Sequence, residues 1–278
     1  FYSRRIGGAP SLSPDTNTNE EIIENPVTAD LYNATKISGR TKGGLGIGYL
    51  NAVTQKTYAI AKDTITQETR KILVEPLTNY NVLVFDQRFH KNSSVTLVNT
   101  NVTRNGSFRD GNVSALVWDL NTTKNTYNLS GNFKYSYVND IEDKKKGINT
   151  LLSFAETSGK YRYYAETNLV TKDFDSNDMG INFETNYYSF YGNTSYRILN
   201  PTKTFNSFNT NINAYTQFQK ETGKIQSNQI NLNVNSNTKK NHYVGFGLEY
   251  RPFENYNYYE PRTEGRYSID PTRFGSWF

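Results

Sequence analysis

Between Thr126 and Asn139 the sequence alternates residue by residue. Tyr127, Leu129, Gly131, Phe133, Tyr135 and Tyr137 occupy one set of positions, and Asn128, Ser130, Asn132, Lys134 and Ser136 the other. Successive side chains of a β-strand point to opposite faces, so this is a strand with one apolar face and one polar face. The pattern holds for about 11 residues, longer than the ~5–6 usual in soluble proteins and as long as the ~9–11 a tilted strand needs to cross a bilayer. Aromatics at both ends of the apolar face match the two lipid–water boundaries. The stretch predicts a transmembrane strand.

The rest of the chain repeats it. Leu31–Arg40 and Gly44–Thr54 flank a tight Thr41-Lys42-Gly43 turn. Thr78–His90, Ser94–Arg104, Asn112–Leu120, Thr126–Val138, Ile148–Thr157 and Tyr161–Thr171 follow, then Asn186–Leu199, Phe205–Gln219, Lys224–Asn235 and Asn241–Phe253. Alternation recurs in most of them. Phe190 belongs to one apolar set, Ile212 to another opposed by Asn211, Leu232 to a third opposed by Asn231, and Phe246 to a fourth opposed by Glu249. Thr78–His90 is less clean, with Val82 and Val84 on one face and Leu83 and Phe85 on the other. The expected fold is all-β, an antiparallel transmembrane β-barrel with about twelve strands in this chain. Tyr127, Leu129, Phe133, Phe190, Ile212, Leu232 and Phe246 are expected to face lipid, and Asn132, Lys134, Asn211, Asn231 and Glu249 the lumen.

Composition fits this reading. Only 35% of residues are hydrophobic and the mean hydropathy is −0.74, with no apolar run of the length a membrane helix requires. A barrel tolerates such polarity because only alternate strand residues meet lipid. The net charge of +5 is mild, and no basic cluster with interleaved aromatics points to nucleic acid. Without cysteine there are no disulfides, thiolate metal sites or cysteine nucleophiles.

Connection lengths orient the strands. Those after odd strands are short, whereas Gln55–Leu77, Lys172–Thr185 and Glu254–Gly275 are long. Outer-membrane barrels have short periplasmic turns and longer external loops. Thr41–Gly43, Asn121–Asn125 and Ser158–Gly159 are therefore expected to be periplasmic. The three long connections and the Pro-, Ser-, Thr- and Asn-rich Gly7–Asp30 are expected to be external loops. On this topology Phe1–Ile6 reads as the tail of an earlier outward strand and Ser276–Phe278 as the head of a later inward one. Residues 1–278 are thus expected to form a single barrel domain truncated at both ends. Leu31–Arg40 and Asn241–Phe253 are then expected to pair with further chain rather than with each other.

Phe1-Tyr2-Ser3-Arg4-Arg5-Ile6-Gly7, the first hairpin with Ala34, Lys36, Gly39-Arg40-Thr41-Lys42, Gly44, Gly48 and Leu50-Asn51-Ala52-Val53-Thr54, and Glu75-Pro76-Leu77-Thr78-Asn79-Tyr80 resemble a known family. Asn177-Asp178-Met179-Gly180 is a weaker match. The family is the Bacteroidota barrel called domain of unknown function 5916, found in carbohydrate-binding-family-9 domain-containing proteins. The resemblance implies a large outer-membrane barrel in which the first stretch is internal. It carries over no catalytic residue.

Other candidate chemistry reads as structural. His90 lies at a turn and His242 near a strand start, short of the three or four converging ligands a metal needs. Glu166, Glu184 and Glu249 are lumen carboxylates of the kind that are solvated or ion-paired. The glycine run Gly43-Gly44-Leu45-Gly46-Ile47-Gly48 lacks the following helix of a nucleotide site. The expected protein is therefore a channel, or a structural subunit of an assembly in the bacterial outer membrane. Its alternative is a carbohydrate-linked barrel of a glycan-binding or glycan-uptake system, and a carbohydrate-active enzyme stands further off. No enzymatic activity, cofactor or metal is expected. The expected partners are outer-membrane lipid, other outer-membrane or periplasmic proteins and carbohydrate, without nucleic acid.

Overall fold

The computed structural model describes residues 3–141, 143–263 and 265–278. A short strand β1 (Glu20–Glu24) precedes the hairpin β2 (Leu31–Arg40) and β3 (Leu45–Thr54). Next come β4 (Thr57–Asp63) and β5 (Thr69–Glu75). A long run follows: β6 (Thr78–Phe89), β7 (Ser93–Arg104), β8 (Asp110–Asn121), β9 (Tyr127–Asn139), β10 (Lys144–Glu156), β11 (Tyr161–Val170), β12 (Tyr187–Ile198), β13 (Phe205–Gln219), β14 (Ile225–Thr238) and β15 (Tyr243–Arg251). The short β16 (Asn255–Asn257) and β17 (Ser268–Asp270) lead to β18 (Arg273–Trp277). Among the described residues no helix is long and apolar enough to cross a membrane.

Among the described residues thirteen strands form one antiparallel meander in the order β2-β3-β6-β7-β8-β9-β10-β11-β12-β13-β14-β15-β18. The twelve strands expected from the alternation are all in it, most with bounds within two residues. Among the described residues β2 pairs only with β3, and β18 only with β15. No ladder joins β2 to β15, whose outer edge is taken by β18 instead.

Several expectations need correction. Gly7–Asp30 contains β1, and Gln55–Leu77 contains β4 and β5, and these three form a separate small sheet in the order β1-β4-β5. Its buried face is made of Ala59, Ala61, Ile72 and Val74, and Arg70 Nε and Nη2 donate to the two carboxylate oxygens of Glu20 at 2.6 and 2.7 Å. Short strands with small apolar residues leave little periodicity to read. Glu254–Gly275 likewise holds β16 and β17, and the final strand starts at Arg273, ahead of the Ser276 start read from the sequence. Phe1 and Tyr2 lie outside the described residues. Ser3–Arg5 is a 3-10 turn, so the expected strand tail does not extend through it and does not pair with β2.

The ladders show which side chains share a face, because directly opposed residues point the same way. Phe133 opposes Leu116, which opposes Leu97, then Phe85, then Ile47. In the other direction Gly131 opposes Leu152, then Thr167, Phe190 and Thr216. Ile212 opposes Leu232, and Leu232 opposes Leu248, two residues from Phe246. The seven residues expected to face lipid thus lie on one continuous face. On the opposite face lie Asn132 and Lys134, while Asn231 opposes both Asn213 and Glu249, with Asn211 beside Asn213. Phe133 (43%), Phe190 (50%) and Ile212 (47%) are exposed, whereas all five polar residues are half-buried. Side chains on the inner face of a curved sheet crowd and shield one another, so the sheet curves toward its polar face.

Candidate functional site

The apolar face carries an aromatic belt at each end. At the short-turn end Tyr127 stacks on Phe154 at 6.0 Å, Phe154 meets Tyr163 at 6.0 Å, and Tyr161 meets Tyr196 at 4.7 Å. At the long-connection end Tyr188 stacks on Phe218 at 5.1 Å, and the Lys146 ammonium lies 5.9 Å from the centre of the Tyr137 ring. Tyr127 and Tyr137 are ten residues apart on β9. At ~3.3 Å per residue and a tilt of ~40° this spans about 25 Å, the height of a barrel's apolar band.

Beyond that band, on the same face, Asn51, Asn81, Asn101 and Asn112 oppose one another across four strands. Asn51 Nδ2 donates to Asn81 Oδ1 at 2.9 Å and Asn112 Nδ2 to Asn101 Oδ1 at 3.2 Å. The apolar face is therefore not apolar throughout, as alternation alone implied. A row of asparagine marks where it ends.

The polar face carries its own asparagine array. Asn213 Nδ2 donates to Asn211 Oδ1 at 2.8 Å and to Asn231 Oδ1 at 2.6 Å, and Asn193 Nδ2 donates to Asn213 Oδ1 at 2.6 Å. At the long-connection end two segments of chain fold down onto this face. Lys172–Thr185, expected as an external loop, turns inward between β11 and β12. Met179 is buried with Ala52, Tyr80, Val82 and Val102, and Ile6 packs on the same cluster from the N-terminal side. Val82 and Val84 break the simple pattern of β6 because their polar-face positions lie under this cover.

Glycines make room for the inward segment. Gly111 and Gly147 both stand on the polar face, opposing Val102 and Ser136. A Cβ on Gly147 would lie 2.2 Å from the Phe174 backbone. The Asp175 N–H donates to Ser136 Oγ at 3.0 Å.

Charge fixes the segment further. Asp178 takes Arg104 Nη1 at 3.0 Å on one oxygen and Arg109 Nη2 at 2.8 Å on the other. Arg109 Nη2 also donates to Asp175 at 2.9 Å. The side chains of Arg104 and Asp178 are only 11% and 10% exposed, so each charge needs its partner. Burial works against the charge on Asp175, but the Asn177 N–H and the Arg109 guanidinium outweigh it and hold the carboxyl below its ordinary range. Burial likewise opposes the charge on Arg109, and its bonds to Asp178 overcome that. Beside this latch lies a cavity of about 840 Å³, lined by Arg4, Arg5, Glu75, Tyr80, Phe108 and Asp140 together with the latch residues.

The other sequence candidates do not converge. His90 and His242 are exposed, His90 at a turn with φ of 48° and His242 beside Asn241, whose φ is 60°. Glu166 accepts from Tyr164, Glu184 from Gln217 at 3.4 Å, and Glu249 pairs with Arg251 at 3.4 Å. Gly44 has φ of +88° and sits against the Arg88 carbonyl, a turn requirement rather than a phosphate cradle. Among the described residues no cluster of His, Asp or Glu is placed to hold a metal. Of the latch residues only Asp178 is singled out by the sequence, inside the weaker family match Asn177-Asp178-Met179-Gly180 and without a role; Arg104, Arg109 and Asp175 are not. The readable signal was Gly111 and Gly147 inside strands, since strand glycine marks close backbone approach.

A long antiparallel meander with an aromatic-belted apolar face and a hydrogen-bonded polar face is the wall of a transmembrane β-barrel. The chain belongs to the family described as domain of unknown function DUF5916, whose match runs over residues 1–278. No curated protein matches it. Two solved structures are distantly similar. One is Pseudomonas aeruginosa OpdO, at 9% identity and a TM-score of 0.39 over 98% of this chain and 74% of that one. The other is Pseudomonas aeruginosa OccK5 (OpdH), at 10% identity and a TM-score of 0.34 over 87% and 89%.

Proposed function

We propose that the protein is an outer-membrane barrel that conducts small solutes, with its polar lumen narrowed near the long-connection end by the inward segment Lys172–Thr185. The observation that carries this is the opposite chemistry of the two faces of one continuous sheet, with a latched segment lying on the polar face alone. The polar face supports a wet interior. Asn132 Oδ1, Asn168 Oδ1, Ser195 Oγ, Asn209 Oδ1 and Asn237 Oδ1 are all on it, each shielded and, among the described residues, without a protein partner. Leaving such groups unpaired would cost ~1–3 kcal/mol each, and water in a lumen removes that cost. In this reading the long connections face outward and the short turns inward, the usual barrel orientation.

The test is conductance of the full-length protein in planar lipid bilayers. Stepwise ion currents are expected, and they should grow when Arg109→Gln and Asp178→Asn together release the segment. Absence of any conductance steps from correctly folded protein would overturn the conduit reading.

A further inference from the structure

We infer that the outward face of β3 and β6–β8 binds a glycolipid of the surrounding membrane, with the saccharide head on a row of amides and an acyl chain in the groove beside it. The site lies on the face opposite the lumen, so it rests on the lipid-facing reading of that face and not on conduction. The apolar band is uneven in height. On β9 the outward positions run Tyr127, Leu129, Gly131, Phe133, Tyr135 and Tyr137. On β7 they run Ser93, Val95, Leu97, Asn99, Asn101 and Thr103, and only Val95 and Leu97 are apolar. The band therefore ends early over β7. The adjoining strands end it at the same row, because Asn81 and Asn112 oppose Asn101, and Asn51 opposes Asn81. Hydrocarbon offers an amide no hydrogen-bond partner, so this row belongs against the polar heads of lipids.

On the short-turn side of the row lies a groove of about 390 Å³, within the ~300–1,000 Å³ range of small-ligand sites. Leu83, Phe85, Leu97, Leu116, Phe133 and Tyr135 line it, all of them exposed. Asn99 and Ser114 line it as well, opposing each other between Leu83 and Tyr135, one step from Asn101 and Asn112. An acyl chain in the groove thus brings its head onto the amides, and a lipid has both parts in one molecule. Charge selects the head. The row and its neighbours Asn79, Asn99, Thr103 and Ser114 are uncharged, which suits hydroxyls, whereas a phosphate calls for arginine or lysine. Lys146 stands in the same row but past Tyr137, two strands from Asn112, and Asp110 accepts from the Arg104 N–H at 2.7 Å. Asn51 Nδ2 donates to Asn79 Oδ1 at 2.7 Å, and Asn99 Nδ2 to Ser114 Oγ at 2.9 Å, which orders the amides. Asn79 Nδ2 and Asn81 Nδ2 donate to no group among the described residues and remain for sugar oxygens.

The experiment places the full-length protein in phosphatidylcholine nanodiscs carrying equal small amounts of monoglucosyl diacylglycerol, phosphatidylglycerol and diacylglycerol with the same chains. Native mass spectrometry counts the lipids that stay on the protein after release from the discs. The glucosyl lipid is expected to outnumber each of the other two at least about fivefold. Asn99→Leu with Asn112→Leu should bring that ratio to within about twofold of one, and Ser114→Phe, which fills the groove, should lower retention of the glucosyl lipid by about fivefold. Thr216→Leu, on the same outward face over β13, should leave the ratio unchanged. If the double leucine variant fails to fold, Asn112→Leu alone and Ser114→Phe serve. Equal retention of the three lipids by the wild type, a preference for phosphatidylglycerol, or a glucosyl preference that survives the leucine variants or falls as far in Thr216→Leu would overturn the inference. Conductance without a glucosyl preference would sink this site and leave the conduit reading standing. A glucosyl preference without conductance would do the reverse.

Discussion

Gly111 and Asp178 leave no room for a third group between them: a Cβ on Gly111 would lie 2.2 Å from Asp178 Oδ2. The strand position that faces the inward segment must be glycine for the latch to close. Gly111→Ala should push the segment off the polar face at a cost of about 1–3 kcal/mol, the usual range for overpacking. Gly39→Ala and Gly192→Ala, where an added Cβ meets nothing within 4 Å, serve as controls. Protease cleavage within residues 172–185 should accelerate in Gly111→Ala and stay at the wild-type rate in both controls.

Acid should loosen the same segment. The folded state holds Asp175 below its ordinary pKa, so its contribution is complete above that ordinary value, about 4, and is lost as pH falls through the folded one. Cleavage should be flat from pH 8 to about 5 and should rise below about 4 with an acid-stable protease. Asp175→Asn should lose about 1–2 kcal/mol at neutral pH and flatten this response. Glu20, held down to about 2 by Arg70 and the Asn17 N–H, extends the same trend to the small sheet at still lower pH. Loosening on raising the pH instead would contradict the latch.

Adjacent residues on β14 separate the two faces energetically. Leu232→Arg should impair folding into bilayers by ~2–4 kcal/mol if that residue sits near the midplane, whereas Asn231→Arg should cost far less. Reversible unfolding in lipid vesicles measures both, and equal losses would mean that the faces are misassigned.

The meander was legible because long strands with one exposed apolar face repeat a period of two over many residues, as Tyr127–Tyr137 does. What escaped reading was whatever depends on a third partner. β4 and β5 are short, and Ala59, Ala61 and Val74 bury too little periodic surface to stand out. Asn51, Asn81, Asn101 and Asn112 share the apolar face because they lie past the end of its band, a matter of depth that alternation does not encode. Val82 and Val84 look like a lapse in pattern until Met179 and Ile6 cover them. The pairing of Asp178 with Arg104 and Arg109 joins residues about 70 positions apart in the sequence, and no local rule brings them together.

The central claim is that one face of the sheet meets lipid and the other meets water. Nitroxide side chains placed singly from Asn128 to Tyr137, in the full-length protein in lipid bilayers, test it most directly. Collision rates with oxygen, which concentrates in the bilayer, should peak at positions 129, 131, 133 and 135. Collision rates with a water-soluble nickel chelate should peak at 128, 130, 132 and 134. The reverse phase, or accessibility without a period of two, would contradict the account.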